Sequence, residues 1–519
     1  MVAVGRTLTQ PPKHVQSPRS RPKRSNDTAM ATTTSPLPFQ VHHGPHVAIF
    51  PLMAKGHTMP LLDLACLLRG RGLADVTFVT TPGNASFVRA ALRRGGAGDA
   101  AVLELAYPAA GRAPAGGEGA EGVASASSFA AFAESTSALR PRFEEALAAL
   151  RTPASLLVAD GFLYWAHASA AALGVPSVSF LGTSAFAHVA RDAFVRDKPG
   201  APAASPQLDD DDDDDDATTA TYYTAPEFPH LQFSIRDLVP PPLPLIDLDA
   251  KMAAAVAASR GLIVNTFYDL EGRYIEHWNH HIGPKVWAIG PLWLARQSTS
   301  SFSGTGSELH AKPSWMQWLD EMAAAGKPVV YISLGTLAAI SDAQLKEVAD
   351  GLDMAGVNFL WALRPDNNSD DLGTGYDEES VVGRGNKVVR EWVDQRQILR
   401  HPSVRGFVSH CGWNSVLESV AAGVPLVAWP CEFEQPMNAK FVVDELRIGV
   451  RVHASDGAIG GLVKSEEITR AVKEVMFGEA ATAMALRVTE IAAQAQLAVS
   501  DGGSSWKEVE EMISELCVW

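Results

Sequence analysis

Short all-apolar runs separated by helical stretches occur in two series along this chain, and that rhythm restricts it to a parallel α/β architecture. The run His46-Val-Ala-Ile-Phe-Pro-Leu reads as a buried strand, Pro60–Arg69 as an amphipathic helix and Asp75–Thr81 as the next strand. Ser155–Asp160, Ser177–Phe180 and Gly261–Asn265 continue the series, with a helical stretch at Ala166–Leu173. Strands that are apolar on both faces need helices on both faces, which is the signature of a parallel sheet. Over Arg296–Lys312 the composition shifts to Ser, Thr and Gly, as in a linker. The rhythm then restarts with Val329–Leu334, Phe359–Arg364, Gly406–His410 and Pro425–Trp429. Helical stretches at Ser341–Met354, Ser415–Ala422 and Ser465–Met476 separate these runs. The expected fold class is α/β: two Rossmann-like domains whose parallel sheets face a cleft, with ligands beyond the carboxyl ends of the strands.

A chain of 519 residues is too long for one ordinary core. The expected divisions are an unfolded extension over 1–44, a first domain over 45–295, a linker over 296–312 and a second domain over 313–498. A C-terminal helix within 499–519 is expected to pack back on the first domain. The extension carries Arg6, Lys13, Arg19, Arg21, Lys23 and Arg24 against one acid, Asp27. That bias fits an organelle address, but its prolines and the second start-like Met30 fit a cytoplasmic protein better. The eight aspartates of Asp209–Asp216 supply half of the formal net charge of −16. Like charges in a row repel, so they read as a solvated insertion at about 200–220 and not as a cation site. With no basic face the chain is a poor nucleic-acid binder. No apolar run reaches the roughly 18 residues that span a bilayer. Four cysteines without CxxC spacing point to a reducing compartment. A cytoplasmic monomer without integral membrane contact is expected.

The most informative segment is Trp392–Gln435, WVDQRQILRHPSVRGFVSHCGWNSVLESVAAGVPLVAWPCEFEQ. Within it a strand ends at His410, a tight turn follows, and a helix starts near Ser415. Backbone N–H groups at a helix start carry partial positive charge and lack internal partners, so an anion fits there. His410 adds a donor. Ser415-x-x-Glu418 matches a capping box, and from spacing alone capping and ligand binding both remain open. Trp392 offers a flat face for an aromatic base, although a lone Trp is more often part of a core. In the first half, His57 follows the first strand in a Gly-His turn and Asp160 ends a later strand. A histidine near its ordinary pKa is suited to take a proton from a hydroxyl, and a carboxylate can fix its tautomer. A helix cap is the alternative reading of Asp160.

The segment as a whole closely resembles the signature of plant UDP-dependent glycosyltransferases, a family with the two-domain GT-B fold. The resemblance extends from about His46 to the C-terminus and takes in Val264-Asn-Thr-Phe-Tyr-Asp-Leu-Glu, Ile289-Gly-Pro-Leu and Ser333-Leu-Gly-Thr. It implies that His57 is the catalytic base and Asp160 its partner. It implies a uracil stacked on Trp392, with Val393 and Gln395 beside it, and ribose hydroxyls on Glu418. His410, Trp413, Asn414 and Ser415 belong to the implied phosphate site, with Thr336 assisting. Glu434 and Gln435 would hold the sugar hydroxyls, with Thr183 touching the sugar. Gln at the last signature position accompanies glucose, so UDP-glucose is the expected co-substrate, with no cofactor and no metal. Asp394, where the family commonly has proline, and Cys431-Glu432-Phe433 depart from the pattern; Cys411 and Cys431 read as packing residues.

The implied reaction is inverting transfer of glucose to a hydroxyl of a phenolic, flavonoid, terpenoid or hormone, giving a β-glucoside. The alternatives are a UDP-sugar epimerase or hydrolase on the same fold, or an inactive UDP-sugar-binding protein. The apolar residues Phe162–Trp165 and Phe186 argue for an acceptor pocket, and the presence of both His57 and Asp160 argues against an inactive protein. His42, His43 and His46 read as an approach to the first strand and not as a metal site.

Overall fold

The computed structural model describes residues 44–108, 117–120, 123, 125–197, 222–234, 243–299, 312–335, 340–363 and 385–517. Its first half contains β1 (His46–Phe50), β2 (Asp75–Thr80), β3 (Ala101–Glu104), β4 (Leu156–Asp160) and β5 (Ser177–Leu181). A short antiparallel hairpin, β6 (Tyr222–Thr224) and β7 (Gln232–Ser234), precedes β8 (Leu262–Val264) and β9 (Val286–Ala288). Every residue of β1, β4 and β5 is buried, because helices cover both faces of the sheet. The second half contains β10 (Val329–Ser333), β11 (Asn358–Ala362), β12 (Lys387–Val389), β13 (Val404–Ser409), β14 (Leu426–Ala428) and β15 (Gly449–Arg451).

The strands form two parallel sheets, in the orders β3-β2-β1-β4-β5-β8-β9 and β12-β11-β10-β13-β14-β15. In the first, the chain winds outward from β1 to one side and resumes on the other at β4. The second reverses between β10 and β13. Crossover helices leave a crevice beyond the carboxyl ends of the strands at such a reversal, the usual ligand site of doubly wound sheets. His57 follows β1 and Asp160 ends β4; His410 follows β13. The sequence candidates therefore sit at the two switch points.

Several local expectations change. The helix after β1 runs over Lys55–Gly70, so His57 lies in its first turn and not in a preceding loop. Pro60 is inside this helix. Its missing N–H leaves the carbonyl of Gly56, four residues earlier, without its helical donor. Helix Leu292–Thr299 occupies the start of the expected linker. The linker over 300–311, the 1–43 extension with His42 and His43, the acidic insertion and Thr336 lie outside the described residues. His46 is the first residue of β1, with its ring bonded to the Thr152 carbonyl and the Thr77 hydroxyl. At the C-terminus, helix Ser504–Leu516 lies against β9. Ser505 donates to the Gly290 carbonyl at 2.6 Å, and the Arg71 guanidinium lies 3.5 Å from the centroid of the Trp506 ring. No helix among the described residues is long and apolar enough to cross a membrane.

Polar bonds join the two halves across the seam between them. Asn414 Nδ2 donates to the Gly56 carbonyl at 2.6 Å, supplying the bond that Pro60 cannot make. The Trp413 indole donates to the Asn265 carbonyl at 2.9 Å. Fully buried Asn438 accepts from Ser184 Oγ at 2.8 Å and donates to the Cys411 carbonyl at 3.0 Å. Its removal would strand two buried partners. Asn438→Ala should therefore destabilise the protein by about 2 kcal/mol and lower the thermal midpoint. An unchanged midpoint in a thermal melt would show that this bridge contributes nothing to stability.

Candidate active site

His57 Nδ1 lies 2.8 Å from Asp160 Oδ2. Because a carboxylate only accepts, Nδ1 carries the proton and Nε2 is left with its lone pair. The Asp160 side chain is 1% exposed and that of His57 20%, so the pair is anchored at one end and reachable at the other. The second oxygen of Asp160 accepts from the Phe162 backbone N–H at 3.1 Å. Asp160 thus both caps the short helix after β4 and orients His57; the two readings of this residue are compatible. Burial disfavours the imidazolium, but the Asp160 carboxylate and, less strongly, Glu434 outweigh it, and the His57 pKa is raised above its ordinary 6.5.

Apolar groups line one side of this histidine. Phe162 meets its ring edge-on at a centroid distance of 5.4 Å, Phe129 meets Phe162 at 5.1 Å, and Phe433 from the second half meets Phe129 at 5.5 Å. The roles of Phe129 and Phe433 are not apparent from sequence, since no local periodicity links them to Phe162. Conversely, three expected pocket residues belong to the core. Leu163 and Phe186 are fully buried, and Trp165 packs on Phe50 and Phe143 while donating to Thr136. Phe186 stacks on Phe441. Thr183 is close to this site through neighbouring Gly182, where a Cβ would lie 3.8 Å from the His57 ring. Its hydroxyl is within 2.6 Å of His188 Nε2.

Across the seam, β13 ends at Ser409, and the chain turns through His410, Cys411 and Gly412 into helix Trp413–Ala422. Cys411 has φ of 64°, a left-handed backbone rare for non-glycine residues that reverses the chain sharply here. The cysteine itself is buried, and burial pushes its thiol up to about 12, as befits a packing residue. His410 is wrapped by glycines: a Cβ at Gly412 would come within 2.5 Å of its Nε2 and one at Gly335 within 2.9 Å. Burial lowers its pKa to about 4, leaving a neutral ring able to donate one hydrogen bond.

The helix begins at Trp413 and its N-cap is Gly412, so Ser415-x-x-Glu418 is not a capping box. Gln395 Nε2 instead bridges Ser415 Oγ at 3.1 Å and Glu418 Oε2 at 2.8 Å, while its carbonyl oxygen accepts from the Tyr331 hydroxyl at 3.3 Å. The indole of Trp413 and the amide nitrogen of Asn414 are committed to the seam. What the start of this helix offers an anion is its set of backbone N–H groups.

Trp392 is 69% exposed, which removes the core reading and leaves a flat aromatic face beside Gln395; Val393 is half-buried against the core. Asp394, where the resembling family commonly has proline, caps helix Gln395–Leu399 by accepting from the Gln397 N–H at 3.2 Å. Gln435 accepts from the backbone N–H groups of Cys431 and Glu432 at 2.9 and 3.0 Å, which fixes its amide orientation. Burial raises the Glu434 pKa, partly opposed by its own backbone, His57 and Arg191. Glu434 thus senses His57 across the cleft. Among the described residues, no three His, Cys, Asp or Glu side chains converge as a metal site.

A family model described as UDP-glucoronosyl and UDP-glucosyl transferase matches residues 299–496. Over 491 residues the chain is 37% identical to UDP-glycosyltransferase 90A1 of Arabidopsis thaliana, covering 92% of this chain and 97% of that protein. The chain belongs to the plant UDP-glycosyltransferases. The enzyme is also 32% identical over 489 residues to the UDP-glucose flavonoid 3-O-glucosyltransferase 7 of Fragaria ananassa, covering 91% of this chain and 96% of the relative. Its fold matches the crystal structure of Glycyrrhiza uralensis UGT73P12 complexed with glycyrrhetinic acid 3-O-monoglucuronide. The TM-score is 0.74 at 27% identity, over 91% of this chain and 96% of the other. A UDP-glucosyltransferase from Polygonum tinctorium capable of glucosylating indoxyl matches with TM-score 0.71 at 26% identity, over 92% and 99% of the two chains.

Two histidines of this glycosyltransferase occupy opposite electrostatic settings, which gives a direct check. By NMR of histidine-labelled protein, His57 should titrate above 6.5 and His410 should remain neutral well below that pH. Asp160→Asn removes the carboxylate that favours the imidazolium, so the His57 pKa should fall. A His57 pKa unmoved by Asp160→Asn would contradict the pairing.

Proposed function

We propose that this enzyme moves glucose from UDP-glucose to a hydroxyl of a small hydrophobic acceptor by a single inverting displacement. One observation carries this reading: the His57–Asp160 pair faces the start of helix Trp413–Ala422 across a seam pinned by the Asn414–Gly56 bond. His57 Nε2 takes the proton of the acceptor hydroxyl, because Nδ1 is held by Asp160. The acceptor oxygen attacks C1 of the sugar as the bond to UDP breaks. The proton ends on His57, the negative charge on UDP, and Asp160 stabilises the imidazolium. Backbone N–H groups of Trp413, Asn414 and Ser415, with the neutral His410 as a donor, stabilise the departing diphosphate, with no metal in this scheme.

Trp392 stacks the uracil, with Val393 and Gln395 at its side, and Glu418 takes the ribose hydroxyls. Thr336 assists at the phosphates in the proposed arrangement. Glu434 and Gln435 grip the sugar. With the Gln435 oxygen held by Cys431 and Glu432, its NH₂ donates to a sugar hydroxyl while Glu434 accepts from another. Thr183 borders the sugar. The aromatic wall of Phe162, Phe129 and Phe433 supports a flat apolar acceptor, and so favours transfer over hydrolysis or epimerisation. The Fragaria relative, named for UDP-glucose and flavonoids, supports the same donor and a phenolic acceptor. All four cysteines are unpaired, which supports a reducing, cytoplasmic setting for a protein we take to act as a monomer.

Steady-state kinetics with one good phenolic acceptor test this. His57→Ala should lower kcat by about 10²–10⁴ with UDP affinity nearly unchanged. For the wild type, kcat/KM should be highest with UDP-glucose among UDP-glucose, UDP-galactose, UDP-xylose and UDP-glucuronate. Near-normal turnover of His57→Ala would reject the base, and preference for another donor would reject glucose.

A further inference from the structure

Glu418 is tied to more than its neighbours in the signature. Arg396, next to Gln395, donates from Nε to Glu418 Oε1 at 2.7 Å, while its Nη2 lies 2.9 Å from Asp63 Oδ2. Asp63 belongs to helix Lys55–Gly70 of the first half, and its other oxygen lies 2.8 Å from Arg296 Nη1. The Asp63 side chain is 1% exposed, that of Glu418 11% and that of Arg396 17%. Two carboxylates and two guanidinium groups thus alternate across the seam with their charges balanced. Buried charges of this kind require such partners.

We propose that Arg396 is a positioning residue that couples the orientation of Glu418, and so ribose binding, to Asp63 of the opposite domain. This rests on Glu418 being the ribose acceptor. Gln395 holds one oxygen of Glu418 and Arg396 the other, so the carboxylate plane is fixed by two donors on adjacent residues. Each oxygen keeps a lone pair for a hydroxyl. A planar guanidinium transmits orientation in a way a flexible ammonium does not. The helix that carries Asp63 also carries His57 in its first turn. The donor carboxylate and the acceptor-side base are therefore referenced to one rigid element, which sets the register between the substrates.

Calorimetric binding of UDP and 2′-deoxy-UDP to the full chain separates this role from a merely structural one. The wild type should prefer UDP, and Glu418→Gln should erase that preference. Arg396→Gln should weaken UDP by about 10-fold while changing 2′-deoxy-UDP much less, so that discrimination shrinks. Asp63→Asn, which touches no donor atom in the proposed site, should shrink it by a smaller factor in the same direction. Arg396→Lys, which keeps the charge without the fork, should also discriminate less than wild type, and it carries the test if the glutamine variant does not fold. If these variants leave discrimination at the wild-type ratio while Glu418→Gln erases it, the coupling is wrong and the ribose role of Glu418 stands. If Glu418→Gln itself keeps the preference, the ribose role fails and the coupling with it.

Discussion

A proline that cannot donate a hydrogen bond underlies the contact between the two sheets. Pro60 leaves the Gly56 carbonyl without its helical partner, and Asn414 supplies the missing donor from 358 residues further along the chain. The bond joins the first turn of the helix after β1 to the first turn of the helix after β13. Each helix starts at the switch point of its own sheet, so a single contact brings two ligand-binding crevices together. The Trp413–Asn265 and Ser184–Asn438–Cys411 bonds then fix the rotation between them. The His57–Asp160 pair at one crevice and the helix start at Trp413 of the other thereby face one another.

Burial acts oppositely on the two histidines because their partners differ. His57 has a carboxylate on one nitrogen and a second acid across the cleft, so its charged form is favoured despite burial. His410 is buried and enclosed by glycine backbone, and burial keeps it neutral. The first suits a group that must hold a proton at the end of a reaction step. The second suits a fixed donor that cannot be titrated away near neutral pH. The glycines at 335 and 412 have a steric reason to lack side chains, since a Cβ at either would collide with the ring.

Much of the architecture was legible in the sequence because long buried strands leave apolar runs that nothing else explains. The runs at 46, 155, 177, 329 and 406 all became central strands. The edge strands of both sheets are not legible: β9, β12 and β15 are three residues each, and β3 has no fully buried residue. The amphipathic pattern is recognisable only from Pro60 and leaves His57 in a turn, whereas the helix begins at Lys55. The Ser415–Glu418 spacing matched a capping box, yet the helix starts two residues before Ser415, and Gln395 and Arg396 claim Glu418 instead. The sequence places Phe186 at an acceptor pocket, whereas its ring fills the core against Phe441. Local periodicity reports which residues share an element, and these contacts lie between elements. Asn438, Phe129, Asp63 and Arg396 acquire meaning only once the two sheets face each other.

The anomeric configuration of the sugar in the product, read by proton NMR on the first-formed glycoside, tests the paired-crevice arrangement most directly. In the proposed reaction His57 delivers the acceptor from one sheet and the diphosphate leaves toward the helix start of the other, so that attack and departure take opposite faces of C1. An α-linked donor must then give a β-glycoside. An α-glycoside would mean that acceptor and diphosphate share one face or that a covalent intermediate intervenes, and it would contradict the arrangement described here.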